Sequence, residues 1–150
     1  MFTEPGTWHG GSIELLMLFR GESSVVRERI GSALWAQPCL DGPYLLNGVE
    51  PEEQIKVAWN GLDPSYGVAT LTNQGRVAFC SSFVEDEDGL WLYAGIPMGA
   101  LGYEFPVGAY PFGSEDPSSW LAPLHEWFVS LAKQMYASNA FDAAVIGWLT

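Results

Sequence analysis

The stretch Gly67–Met98, GVATLTNQGRVAFCSSFVEDEDGLWLYAGIPM, constrains the fold of this chain more than any other. It reads as three consecutive strands joined by two tight turns. Asn73-Gln74-Gly75 supplies the first turn, because Asn and Gly tolerate the positive φ of short hairpin loops. Glu85-Asp86-Glu87-Asp88-Gly89 supplies the second, a charged tip ending in Gly. In the middle strand Val77, Phe79 and Phe83 share one face with Ser81, and Ala78, Cys80, Ser82 and Val84 share the other. Small or apolar residues on both faces predict a central, largely covered strand.

The rest of the chain supplies elements to pack on that meander. Ser12–Arg20 alternates, with Ile13, Leu15, Met17 and Phe19 on one face and Glu14, Leu16, Leu18 and Arg20 on the other. That pattern predicts a strand with one core face. Gly21 ends it, and Ser23 or Ser24 can cap a helix whose apolar stripe is Val26, Ile30, Ala33 and Leu34. Pro38 stops this helix near Trp35. Leu40-Asp41-Gly42-Pro43 reads as a turn before a short strand at Tyr44-Leu45-Leu46, with Ile55-Lys56-Val57 a further strand candidate. Gly99–Ser114 is a long connection rich in Gly, Pro and aromatic residues.

Asp116-Pro117 can open a second helix, in which Pro123 separates a short first turn from a main body reaching about Ala137. Leu124, Phe128, Leu131 and Met135 line its core side, and Glu126, Ser130 and Lys133 its wet side. Phe141–Leu149 is an uncharged apolar strand apart from Asp142, expected in the sheet interior beside the first strand. The order β-α-(β)-β-β-β-α-β predicts one α+β domain over 1–150. It is a two-layer sandwich: a mixed, mostly antiparallel sheet with a central meander, under two main helices.

Charge narrows the partners. Six basic residues against eighteen acidic ones give a formal charge of −12, spread along both halves. Such a chain repels phosphate backbones, so nucleic acid and anionic membranes are disfavoured, whereas a basic protein would be attracted. Acidity also serves solubility alone. Charged residues make up only 16%, and seven Trp are present, a combination that favours exposed apolar surface and hence a partner or a homodimer. Cys39 and Cys80 are too few for a disulfide framework or a zinc site. The opening MFTEPGTWHGG lacks the basic region of a signal peptide, and the longest uncharged run is too short to span a bilayer. A reduced, cytoplasmic chain is expected.

Catalytic patterns are scarce. No nucleophile elbow, phosphate-binding loop or EF-hand spacing occurs, and no cofactor is implied. His9, Cys80 and His125 are the residues a hydrolase would have to use, but His125 and Glu126 diverge on a helix and Cys80 sits mid-strand among apolar neighbours. Candidate contacts for a partner are the acidic tip, Glu85, Asp86, Glu87 and Asp88, and the loop aromatics Tyr103, Phe105, Tyr110 and Phe112. In size, acidity and α+β layout the chain is similar to the immunity proteins that bacteria keep in the cytoplasm against polymorphic toxins. That resemblance implies a non-enzymatic domain that neutralises a protein partner. A binder of small ligands with a Trp-rich pocket is the alternative, and a hydrolase the third reading.

Overall fold

A computed structural model describes residues 11–45, 55–61, 63–71, 75–100 and 118–149, apart from the side chains of 118–120 and 148–149. Its elements follow the expected order: β1 (Ser12–Phe19), α1 (Ser23–Trp35), β2 (Leu40–Tyr44), β3 (Ser65–Leu71), β4 (Gly75–Asp86), β5 (Gly89–Pro97), α2 (Ser118–Ser138) and β6 (Ala143–Leu149). The strands form one sheet in the order β2-β3-β4-β5-β1-β6. Every pairing is antiparallel, so the sheet is not mixed. The meander β3-β4-β5 lies inside it, with β1 inserted between β5 and β6.

Alternation decides which side meets the helices. Ile13, Leu15, Met17 and Phe19 of β1 are all buried, as are their partners Ile96, Ala94, Leu92 and Leu90 on β5. The same face continues through Val77, Phe79, Ser81 and Phe83 of β4, all buried. Helix α1 presents Val26, Ile30, Leu34 and Trp35 to it; α2 presents Leu124, Phe128, Leu131 and Met135. Those positions recur at three- and four-residue spacing, which keeps one stripe of each helix on the core. Phe79 joins both helices, with its ring centroid 5.5 Å from that of Trp35 and 6.3 Å from that of Trp127. Trp127 is fixed in turn by its Nε1–H, which donates to the Thr70 carbonyl of β3 at 3.0 Å.

Four local expectations are corrected. Leu40-Asp41-Gly42-Pro43 belongs to β2 instead of preceding it, because the register is irregular between Asp41 and Tyr44. Gly and Pro signal a turn in isolation, but an irregular edge strand tolerates both. Beside it, the segment around Lys56 forms a bridge to Tyr44. Glu22 is the N-cap of α1, without a side-chain cap bond, and neither Ser23 nor Ser24 caps it. Helix α2 runs unbroken from Ser118 through Pro123, one turn earlier than a Pro-delayed start would allow. Finally, β6 is an edge strand and not an interior one, with Val145 56% exposed.

Candidate functional site

The acidic tip is smaller than its sequence suggests. Glu85 and Asp86 are still in β4, and only Glu87 and Asp88 form the turn before Gly89, whose φ is 140°. Asp86 is occupied structurally: its carboxylate accepts from the Asp88 backbone N–H at 2.8 Å and from Trp91 Nε1–H at 3.1 Å. Ser23 Oγ donates to Glu85 Oε2 at 2.9 Å, tying the hairpin to the start of α1. This places Glu85 at the N-terminal end of α1, where the helix dipole favours negative charge. Glu22 joins the same end, accepting from Ser24 Oγ at 3.0 Å.

Glu22, Glu85, Asp86, Glu87 and Asp88 therefore share one end of the molecule. Two cations near it are committed elsewhere. Arg20 pairs with Asp142 at 3.0 Å, and Arg27 pairs with Asp63 at 3.2 Å while lying over the Phe83 ring. No ion pair joins these carboxylates to a cation among the described residues. Apolar surface adjoins them. Val84, opposite Trp91 on the sheet face turned away from the helices, is 44% exposed; Val25, in the first turn of α1, is 56% exposed. Sequence reasoning missed Glu22, Val84 and Trp91. The alternation of β4 and β5 could have found the last two, since it puts both on the non-core face next to the tip.

The four loop aromatics Tyr103, Phe105, Tyr110 and Phe112 lie outside the described residues, as does His9. The two remaining candidates for nucleophilic chemistry are kept apart by the sheet. Cys80 aligns with Tyr66, Gly95 and Glu14 on the face turned away from the helices, whereas His125 lines a groove on the helix side. Burial, and then the Glu14 carboxylate, push the Cys80 thiol up to about 11. At pH 8 roughly one part in a thousand would be thiolate. Alkylation followed by mass spectrometry should accordingly find Cys80 orders of magnitude slower in the folded protein than in denaturant. Rapid labelling of the native chain at pH 8 would return Cys80 to consideration as a nucleophile.

Trp35 and Trp59 both border a groove of about 460 Å³ between α1 and the 56–59 segment. Trp59 packs on α1 at Gly31, with ring atoms 2.5 Å from where a Cβ on Gly31 would stand. Another charged cluster is structural: Tyr44, Lys56 and Arg76 all converge on Asp41, with Lys56 at 2.8 Å and Arg76 at 3.3 Å. The Lys56 hydrogen bond foremost, then that of Tyr44, hold the Asp41 carboxyl below its ordinary range. No group of three metal-ligating side chains occurs among the described residues, nor does any described helix have the length and apolarity to cross a membrane. The chain matches no protein-family model, no curated protein and no solved structure. Fold and site together define a two-layer α+β domain with a carboxylate-rich, apolar-flanked end.

Proposed function

We propose that this chain is a non-enzymatic binding domain that docks a basic protein through the β4–β5 hairpin end. The observation that carries this reading is the grouping of Glu22, Glu85, Asp86, Glu87 and Asp88 beside Val84 and Trp91, with no described cation paired to them. Unpaired carboxylates steer a cationic partner toward the surface, and an adjoining Trp supplies the kind of anchor that holds a complex together. Neutralising a toxin in the cytoplasm, as an immunity protein does, is the form of this function that the acidity and layout favour. The free thiols Cys39 and Cys80 accord with a reducing compartment.

Glu87→Gln with Asp88→Asn removes charge without touching the hydrogen bonds that Glu85 and Asp86 accept. This variant should keep wild-type stability and associate several-fold more slowly at low salt, with the difference fading at high salt. Trp91→Ala should instead speed dissociation by roughly thirtyfold, the effect of about 2 kcal/mol at an anchor. The measurement is association and dissociation kinetics at two salt concentrations. It uses a partner recovered by affinity purification from the source cell, after folding of each variant is verified. Wild-type association that ignores salt, with unchanged dissociation of Trp91→Ala, would remove the hairpin end as the binding surface.

A further inference from the structure

We propose that β6 and the adjoining stripe of α2 form a homodimer interface, in which two copies join their sheets edge to edge and pack their α2 helices across a two-fold axis. The strand itself is the first ground. Its sequence AAVIGWL holds no charge and no proline, and it pairs with β1 in unbroken register over Leu18↔Ala143 to Ser12↔Leu149. Edge strands that stay unpaired are commonly guarded by Lys, Pro or a bulge, and β6 has none of these. The other edge, β2, carries Pro43 and an irregular register, and is bridged at Tyr44 by Lys56. Among the described residues no strand pairs with the outer side of β6.

Helix α2 supplies the second ground. Its core stripe is Leu124, Phe128, Leu131 and Met135, all buried. A second stripe follows one residue later, His125, Val129, Ala132 and Tyr136, with the same four-three-four spacing. One residue is a turn of about 100°, so this stripe faces sideways along the sheet. It does so toward β6, where these residues line a groove of about 590 Å³ with Ala144 and Ile146. Tyr136 is 53% exposed there. The four-three-four spacing is that of a helix seam made to meet another helix.

Two-fold geometry then selects the occupant. An axis perpendicular to the sheet, beside β6, makes both the strand pair and the helix pair antiparallel and keeps all helices on one face. Helix α2 packs over β1 and β6, so its axis and its mate's would be separated by two strand spacings, about 10 Å. That is the distance at which helices pack. Charge complementarity completes the match. Glu126 and Lys133 lie seven residues apart on the rim of the stripe, both exposed and neither ion-paired with a described residue. In an antiparallel pair centred between Val129 and Ser130, each Glu126 faces the Lys133 of the other copy, twice over. A second copy satisfies this arrangement by symmetry, despite the net charge of −12 that each copy brings.

The test is the solution mass of the full chain, by sedimentation or light scattering, across concentrations from low micromolar to the solubility limit. Wild type should shift from 16.4 kDa toward twice that value. Glu126→Lys and Lys133→Glu each turn both interfacial pairs repulsive, and each alone should raise the dissociation constant roughly four- to thirtyfold. Mixing the two variants restores opposite charges at both pairs, so the mixture should dimerise as a heterodimer with near wild-type affinity. Both substitutions are at exposed positions and leave the core intact. A wild-type monomer throughout, or a dimer indifferent to either substitution and to mixing, overturns the proposal.

Discussion

Truncating Phe79 to Ala should cost about 3–5 kcal/mol, a large part of the roughly 5–15 kcal/mol by which a domain of this kind is stable. Phe79 is fully buried, and its ring meets Trp35 at the end of α1 and Trp127 within α2 edge-on, at 86° and 70°. Removing it opens a cavity where sheet and both helices join, and two indoles lose their edge-to-face partner at once. Collapse into the space is hindered. Trp127 is held by its bond to Thr70, and Trp35 rests against the sheet at Gly42 and Gly67. Thermal unfolding should move down on the order of 10 °C. Urea titration of Phe79→Ala beside Val84→Ala, a truncation at a 44% exposed site, is the direct comparison. A midpoint for Phe79→Ala no lower than that of Val84→Ala would mean that Phe79 does not join the helices to the sheet.

Much of this architecture is legible in the chain because alternation and helical spacing are local signals with one physical cause, burial of one face. Val77, Phe79, Phe83 and the run Ile13, Leu15, Met17, Phe19 announce their strands and their core side before any contact is known. The stripe Leu124, Phe128, Leu131, Met135 does the same for α2. What fails are features decided by neighbours distant in sequence. Gly42-Pro43 reads as a turn until β3 is placed beside it, after which it is an irregularity in an edge strand. Lack of charge in β6 suits an interior strand, yet among the described strands β6 lies at the edge of the sheet. The acidic run Glu85–Asp88 is legible as a tip, but not the division of labour within it. Asp86 is bound by Trp91 and Glu85 by Ser23, a residue far away in sequence. The part proposed for Val84 and Trp91 in docking a partner is visible only once the hairpin and the N-terminus of α1 are side by side.

Gly67→Ala should destabilise the fold by about 1–3 kcal/mol although Ala suits a strand better than Gly does. The cause is a single approach. Gly67 sits in β3 directly across from Phe79, and the benzo edge of Trp35 lies over it. A Cβ at Gly67 would stand 2.4 Å from Trp35 Cζ3 and 2.6 Å from the Asp41 carbonyl oxygen. The indole is wedged against Phe79 and the carbonyl belongs to the β2 backbone, so neither can yield cheaply. Shortening the ring should relieve part of the clash. Trp35→Phe in the Gly67→Ala background should therefore cost less than Trp35→Phe alone, with a coupling of about 0.5 kcal/mol or more in a double-mutant cycle. Gly147→Ala is the matched control, because among the described residues nothing lies within 4 Å of a Cβ there, and it should change stability by no more than about 0.5 kcal/mol. If Gly67→Ala behaves like Gly147→Ala and the cycle shows no coupling, Trp35 does not lie on Gly67. The close seat of α1 on the β2–β3 end of the sheet would then be lost, and with it the reason Phe79 has a wall to pack against.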